Sequence, residues 1–198
     1  KLAKIITSQF FEVVIASSFN KKIKEIFKKK KKLILIETKK IKKDNKLDIK
    51  SISGGYLVQQ KNSISFTKQD MSCVSKKIAP KKQSDDLIFC FKVCKHVKSN
   101  AIVLGKNKTT IGIGAGQMNR IDATKLSLSK ISTKNKKNDF VAASDAFFPF
   151  TDNIKLLIKN NCRAIIQPFG SINDNKIISF ANKNNFPLYF SKYRFFKH

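Results

Sequence analysis

Residues 101–120 read AIVLGKNKTTIGIGAGQMNR and contain two apolar runs separated by a turn. The runs at 101–104 and 110–113 flank Gly105-Lys106-Asn107-Lys108, and this pattern predicts a β-hairpin. Glycines at every second position from 112 to 116 would permit close approach of the backbone to a ligand, or form an ordinary tight turn. A helix is predicted over 121–131, and its N-terminus would favour an anionic group beside the glycines. The spacing matches neither the dinucleotide-binding fingerprint nor a P-loop.

Alternating strands and helices are predicted on both sides of this segment. Apolar runs predict strands over 11–16, 33–37, 55–60, 140–143, 164–167 and 188–190. Helical spacing of apolar residues predicts helices over 21–32, 84–97, 153–160 and 173–184. The polar stretches 39–50 and 134–138 are predicted to be connections. This alternation indicates an α/β layered fold with a parallel or mixed sheet, organised as one domain or two small lobes.

The helix predicted over 84–97 has a start signal and an apolar stripe. Ser84 is placed to cap the first backbone amides, and Asp85 and Asp86 suit the positive end of the helix dipole. The stripe consists of apolar residues at helical spacing: Leu87, Cys90, Phe91, Cys94 and Val97. We expect this face to be buried in the core rather than to bind a cofactor.

The chain of 198 residues carries a formal net charge of +28 at pH 7. Such a charge is typical of proteins that bind nucleic acid or anionic membranes. However, the arginines are only Arg120, Arg163 and Arg194, and recognition of bases and phosphates favours guanidinium over the lysine ammonium. Lysine-rich runs also arise from A/T-rich codons, so a solvated surface is favoured over nucleic-acid binding. A basic RNA-binding module stays open as the alternative.

The four cysteines indicate a reduced compartment, because their spacing is not that of a disulfide framework and no secretory signal is visible. Cys90 and Cys94 stand one helical turn apart, but no second pair or nearby histidine completes a zinc site. We therefore expect structural thiols and no metal. No apolar stretch approaches the roughly 20 residues that span a bilayer. We expect a cytoplasmic protein without a membrane partner.

Three aromatic residues and a proline follow a predicted strand, in the segment Ser144-Asp145-Ala146-Phe147-Phe148-Pro149-Phe150-Thr151-Asp152. The aromatic rings would form walls for a flat heterocycle, and Asp152 would accept hydrogen bonds from its ring N–H groups. A buried loop that packs under the sheet explains the same residues. Arg194, in an aromatic tail, can hold a phosphate, and Arg120 makes the glycine-rich segment a candidate phosphate or carboxylate site.

Five segments, taken in order, resemble a single family. They are KHVKSNAI (95–102), GIGAGQMNR (112–120), SDAFFPF (144–150), IQPFGS (166–171) and YRFFKH (193–198). The chain resembles the C-terminal half of AICAR transformylase, the folate-dependent module of the bifunctional purine-biosynthesis enzyme that also carries IMP cyclohydrolase. Shorter matches lie at 10–16, 53–59 and 78–80, so the resemblance covers most of the chain. This resemblance is stronger evidence about function than the net charge, so nucleic acid is not the expected partner.

The resemblance implies a reaction, a fold and partners. The reaction is transfer of a formyl group from 10-formyltetrahydrofolate to the 5-amino group of AICAR, without a metal. The fold is a layered α/β/α arrangement with a mixed sheet, similar to cytidine deaminase without zinc. The expected partners are AICAR, folate and either a second copy in a homodimer or a complementing N-terminal half.

The resemblance also implies roles for individual residues. Asn100 is expected in the active site, where its amide can hydrogen-bond the reacting formyl group. The other expected AICAR contacts are Glu12 near the ribose, Arg120, Phe147, and Arg194 at the nucleotide phosphate. The expected folate contacts are Ile121, Asp152, Ser171 and Ile172. Because an aromatic amine is a poor nucleophile, catalysis must come from alignment and from stabilisation of the tetrahedral intermediate.

Some parts of the family pattern are changed or missing. The family's catalytic Lys-His pair belongs to a Lys-His-x-Asn-Pro segment without a match here, and Lys95-His96 does not inherit its role. Phe169 replaces a glycine in the Gln-Pro-Gly-Gly-Ser loop, and Thr151 replaces the arginine before Asp152. We expect residues 1–198 to be the C-terminal part of the transformylase domain, with the cyclohydrolase domain and the first transformylase half absent. An excerpt, which the start at Lys1 favours, a split subunit and an inactive remnant are the alternatives.

Overall fold

The computed structural model describes residues 2–38, 47–132 and 139–197. The chain divides into two compact units, with the boundary between Ser63 and Ile64. The predicted connection at 134–138 and most of the one at 39–50 lie outside the described residues.

The N-terminal unit contains two helices, a parallel strand pair and a hairpin. The first elements are α1 (Leu2–Thr7), β1 (Val13–Ala16), α2 (Lys21–Lys28) and β2 (Ile34–Glu37). β1 and β2 pair in parallel, as the predicted order of strand, helix and strand requires. Asn20 caps α2, because its side chain accepts a hydrogen bond from the amide of Ile23 at 2.9 Å. α1 was not predicted.

The hairpin consists of β3 (Leu47–Ile52) and β4 (Gly55–Gln60), which pair antiparallel. The prediction of a connection as far as residue 50 is wrong for this part of the chain. Leu47 and Ile49 alternate with charged residues at the period of a strand, and this signal is hidden by the high charge of the segment. Gly54 forms the turn with a φ of 82°, a conformation that favours glycine.

The C-terminal unit is built on a six-stranded mixed sheet. Its strands are β5 (Met71–Cys73), β6 (Ile102–Lys106), β7 (Thr109–Gly114), β8 (Phe140–Ser144), β9 (Cys162–Pro168) and β10 (Leu188–Ser191). Their spatial order is β5-β10-β9-β8-β6-β7. β8, β9 and β10 are parallel to one another, whereas β5 and β6 run antiparallel to their neighbours. The predicted strands and the mixed sheet are confirmed, and the short edge strand β5 is an addition.

Helices cover both faces of this sheet. They are α3 (Lys81–Cys94), α4 (Arg120–Ser129), α5 (Asp152–Lys159) and α6 (Asp174–Lys183). α3 packs on one face, where Phe91 meets Val141 and Ile166, and the other three helices pack on the opposite face with Ile165 and Leu188. Successive strand residues point to opposite faces, so β8 and β9 are buried on both sides. The predicted α/β/α layering is confirmed.

The start of α3 differs from the prediction. The helix begins at Lys81 after Pro80, so Ser84 lies inside it and donates from Oγ to the carbonyl of Ala79 instead of capping the helix. Asp86 also has another role, because its carboxylate accepts from the amides of Asn107 at 2.9 Å and Lys108 at 2.7 Å. Both hairpin residues have positive φ, as a two-residue type I′ turn requires. Asp86 therefore holds the β6–β7 turn against α3.

Two of the three glycines at positions 112, 114 and 116 serve packing. Gly112 and Gly114 lie inside β7 and not in a loop. A Cβ at either position would collide with the backbone of α4, at Ser127 and Ala123 respectively. These two glycines let the helix lie directly on the strand, so the interpretation of both as ligand-binding positions is wrong. Gly116 alone lies in the loop, with a φ of 65°.

The predicted apolar stripe is confirmed as core at Leu87, Cys90, Phe91 and Cys94, whereas Val97 lies beyond the end of α3 and is partly buried. Cys90, Phe91 and Cys94 are inaccessible to solvent, and burial raises the pKa of the Cys90 and Cys94 thiols. Cys162 is buried as well, and burial raises its pKa to about 12. Within residues 2–38, 47–132 and 139–197, no three His, Cys, Asp or Glu side chains are placed to hold a metal ion. None of the helices in these ranges has the length and apolar character of a membrane span.

Substitution of Asp86 tests the link between α3 and the hairpin turn. Asp86→Ala removes a charged acceptor of two amide hydrogen bonds, so we expect the free energy of unfolding to fall by about 1.5 to 3 kcal/mol. Asp85→Ala is the matched control, because it changes the net charge equally and Asp85 makes neither contact. Urea unfolding of both variants gives the comparison. Equal losses would mean that the turn does not depend on Asp86.

Candidate active site

The predicted site residues of the C-terminal unit lie at the sheet edge where β8, β9 and β10 end. These parallel strands end at Ser144, Pro168 and Ser191. β6 begins at the same edge, because Ile102 pairs with Ser144 on one side and with Gly114, the last residue of β7, on the other. Loops at the carboxyl ends of strands are where open α/β sheets bind ligands.

Arg120, the first residue of α4, connects three segments at this edge. Its guanidinium donates from Nε to Ser144 Oγ at 3.1 Å, from Nη1 to Asn100 Oδ1 at 2.6 Å and from Nη2 to Asp145 Oδ1 at 3.0 Å. The Arg120 side chain is 9% exposed and that of Asp145 is 0% exposed. Burial lowers the pKa of Arg120, and the charge of Asp145 opposes that shift. The result is a buried ion pair between the start of α4 and the end of β8.

Asn100 lies just before β6 and is held from both sides. Its Nδ2 donates to the carbonyl oxygens of Gln117 at 2.8 Å and Met118 at 3.3 Å, while Oδ1 accepts from Arg120. The peptide bond between Ser99 and Asn100 is cis. These contacts join the start of β6 to the loop between β7 and α4.

The C-terminal tail, residues 192–197, crosses the same edge. Phe195 is 1% exposed and packs against two other buried phenylalanine rings. Its amide donates to the carbonyl of Asp145 at 3.1 Å. Further along, the amide of Lys197 donates to Ser99 Oγ at 3.1 Å, and the amide of Ser99 donates to the carbonyl of Lys197 at 2.8 Å. The tail is thereby fixed beside the buried ion pair.

Arg194 precedes the buried Phe195 but is itself exposed. Its guanidinium carbon lies 5.1 Å from the centre of the Phe147 ring, which is a cation–π contact. Its Nη2 donates to the carbonyl of Phe169 at 3.5 Å. Gly170 has a φ of 108°, and a Cβ there would lie 2.6 Å from Nη2. Glycine at position 170 therefore leaves room for the Arg194 guanidinium, which a Cβ would displace from its present position.

The residues expected on the folate side also lie on segments that leave this edge. Ile121 is the second residue of α4 and is partly buried. Asp152 begins α5 and is exposed, with Oδ1 accepting from the amide and side chain of Asn153 at 2.8 and 2.9 Å. Ser171 and Ile172 lie between β9 and α6, and Ile172 is fully exposed.

A small cavity of about 180 Å³ lies between the loops that follow β8 and β9. The amide of the Asn173 side chain donates to the carbonyl of Pro149 at 2.9 Å and ties the two loops together. The lining residues are Pro149, Phe150, Thr151, Asn173, Lys176 and Ile177.

These contacts bring several of the predicted site residues to one edge of the sheet. Asn100 binds Arg120, Phe147 lies under Arg194, and Asp152 begins the helix that follows the loop after β8. Glu12 lies just before β1 in the N-terminal unit and is exposed, so its place near a ribose stays a prediction. The ligand contacts expected of the other residues also stay predictions.

Residue-level reasoning missed Asp145, Gly170 and Phe195 as parts of the site. Asp145 could have been recognised from the sequence. It follows an apolar strand directly, and a carboxylate in such a buried place requires a partner of opposite charge. Its partner, Arg120, is 25 positions away in the sequence. The pairing therefore depends on the order of strands in the sheet.

The chain was compared with known proteins. Residues 1–130 match the family model described as AICARFT/IMPCHase bienzyme. The chain belongs to this family. The bifunctional purine biosynthesis protein PurH of Fusobacterium nucleatum is 45% identical over 196 residues, which are 99% of this chain and 38% of that protein. PurH of Thermoanaerobacter sp. is 43% identical over 198 residues, which are 100% of this chain and 38% of that protein.

A third member of the bienzyme family, PurH of Buchnera aphidicola subsp. Baizongia pistaciae, is 44% identical over 198 residues, 98% of this chain and 37% of that protein. The chain thus spans less than two fifths of the length of these relatives. The resemblance that the five segments carry is confirmed at the level of the family.

The two departures from the bienzyme pattern lie at the edge of the site. The side chain of Phe169 is exposed, and its contact with Arg194 is through the backbone carbonyl. A backbone contact does not require a particular side chain, so replacement of glycine by Phe169 is compatible with the position of Arg194. Thr151 lines the small cavity, and its side chain is uncharged, unlike the arginine that it replaces.

Substitution of Gly170 tests how Arg194 is positioned. Gly170→Ala should move the guanidinium off Phe147 and cost about 1 to 2 kcal/mol through the left-handed backbone. Gly54→Ala is the control, because Gly54 also has a positive φ but no atom within 4 Å of the added methyl group. The measurement is the ring-current shift of the Arg194 side-chain resonances, which Phe147→Leu should abolish. An unchanged shift in Gly170→Ala would contradict this account.

Proposed function

We propose that this chain is part of a phosphoribosylaminoimidazolecarboxamide formyltransferase of de novo purine biosynthesis. The enzyme transfers a formyl group from 10-formyltetrahydrofolate to the 5-amino group of AICAR. The convergence of Asn100, Arg120, Phe147, Asp152 and Arg194 on one sheet edge carries this proposal. Membership of the bienzyme family supports it.

The position of Arg194 suits a nucleotide phosphate. Its guanidinium is exposed above Phe147, and within the described part of the chain no carboxylate forms an ion pair with it. An exposed, oriented guanidinium can form charge-assisted hydrogen bonds to phosphate oxygens. Arg120 differs, because Asp145 already neutralises it.

The proposed reaction needs alignment more than an activated side chain. The amine nitrogen of AICAR attacks the formyl carbon, the C–N bond to the folate breaks, the amine loses one proton, and the released folate nitrogen gains one. Asn100 would orient the reacting groups, and the exposed Asp152 would bind the pterin ring.

The pair Lys95-His96 is not placed as the proton acceptor in this proposal. Lys95 Nζ donates to the carbonyl of Ile64 at 2.9 Å, and the pair does not belong to a Lys-His-x-Asn-Pro segment. We propose that the acceptor is supplied by a complementing N-terminal half, and that the assembly is a cytoplasmic homodimer or such a complex.

Catalysis should require more than these 198 residues. We expect the isolated chain to show no formyl transfer above background. A chimera in which the chain replaces the segment that it matches in the Fusobacterium nucleatum protein should be active. The measurement is formation of formyl-AICAR, with the native Fusobacterium protein as the positive control.

Two outcomes would contradict this assignment. One is turnover by the isolated chain at the rate of the native relative. The other is a folded chimera that neither transfers the formyl group nor binds AICAR in calorimetry. If the chimera does not fold, calorimetric titration of the isolated chain with AICAR decides between binding and its absence.

Arg194 and Asp152 should affect different substrates. Arg194→Ala in the chimera removes a charge-assisted contact to phosphate that contributes roughly 1.5 to 3 kcal/mol to binding. It should therefore weaken the binding of AICAR far more than the binding of folate. Asp152→Ala should do the reverse, because a pterin offers N–H donors to a carboxylate. Titration of each variant with both ligands gives the result. Equal losses for both ligands in both variants would show that the residues support the fold only.

A further inference from the structure

The Asn100 carboxamide has only one hydrogen-bonding position left for a ligand. Nδ2 already donates to two acceptors, the carbonyls of Gln117 at 2.8 Å and Met118 at 3.3 Å, and Oδ1 already accepts from Arg120. Carbonyl oxygens only accept and guanidinium groups only donate, so the partners themselves fix which atom is nitrogen and which is oxygen. The remaining capacity is one lone pair on Oδ1.

The orientation of Asn100 depends on Arg120, which in turn depends on Asp145. The Arg120 guanidinium reaches Asn100 at 2.6 Å while its other terminal nitrogen donates to Asp145 at 3.0 Å. Asp145 has no exposed side-chain surface, so water cannot replace it as the partner of Arg120. A planar guanidinium fixed at Nη2 and at Nε has no freedom to move Nη1 away from Asn100.

We propose that Asp145 is a positioning residue that acts through Arg120 to hold Asn100 with its oxygen toward the substrate. Asn100 then offers a hydrogen-bond acceptor to an N–H of the AICAR amine. This differs from the sequence-based expectation that the Asn100 amide bonds the formyl group, since neither amide proton is available to the formyl oxygen. No bond changes at Asn100, whose role is to direct the amine nitrogen toward the formyl carbon. The proposal rests on the proposed function.

The side-chain amide of Asn100 tests the positioning in the 198-residue chain itself. Its two Nδ2 proton resonances, assigned by their loss in Asn100→Asp, should exchange slowly with solvent. Asp145→Asn keeps the shape of the side chain but removes the charge, and we expect exchange at least tenfold faster. Arg120→Lys should do the same, because lysine lacks the fork. Asp86→Asn, which neutralises a buried carboxylate at the β6–β7 turn, is the control and should leave the exchange unchanged.

The active chimera then tests the link to catalysis. Asp145→Asn should lower kcat at least tenfold and change the KM for AICAR less than threefold, whereas Asp86→Asn should change neither. Unchanged amide exchange in both Asp145→Asn and Arg120→Lys would overturn the positioning. Faster exchange with unchanged kcat would overturn its part in catalysis. Loss of Nδ2 protection when AICAR binds would overturn the acceptor role. A folded wild-type chimera that neither transfers the formyl group nor binds AICAR contradicts the proposed function, and amide exchange alone then decides the positioning.

Discussion

The ion pair between Arg120 and Asp145 is the contact on which the candidate site depends. It lies where the end of β8 meets the start of α4, and Arg120 extends it to Asn100 before β6. Separation of the pair would leave an uncompensated charge inside the protein, which strongly destabilises the fold. The pair therefore holds these segments in one arrangement. The amide of Phe195 donates to the carbonyl of Asp145, which adds the C-terminal tail to the same assembly.

Much of the fold could be predicted because the four inner strands of the main sheet, β6, β8, β9 and β10, are largely buried. Such strands appear as short apolar runs between helices with apolar stripes. The start of α3 could not be predicted, since Ser84 gives a cap signal, whereas the helix is capped by Pro80, four residues upstream. β3 was obscured by charge, and β5 is too short to give a pattern.

The site could be predicted in part. Asn100, Phe147 and Arg194 lie in the short motifs that carry the family resemblance. The rule for parallel strands brings Phe147 and Arg194 to one edge, whereas Asn100 lies there because β6 runs antiparallel to β8. The roles of the glycines could not be read from spacing, because a glycine in a turn and one under a helix look the same in sequence. Gly112 and Gly114 serve the packing of α4, whereas Gly170 makes room for Arg194. The choice between these uses is made by tertiary contacts.

The two arginines at this edge show why net charge is a poor guide to function in this chain. Arg120 is buried and neutralised by Asp145, so its contribution is geometric. Arg194 is exposed over Phe147, with its backbone fixed by the buried Phe195 next to it, so its charge is available to a ligand. Lysines supply most of the charge of +28, yet the hydrogen bonds that charged side chains donate at this edge come mainly from these two arginines. Burial therefore distinguishes an arginine that is neutralised within the fold from one whose charge stays exposed.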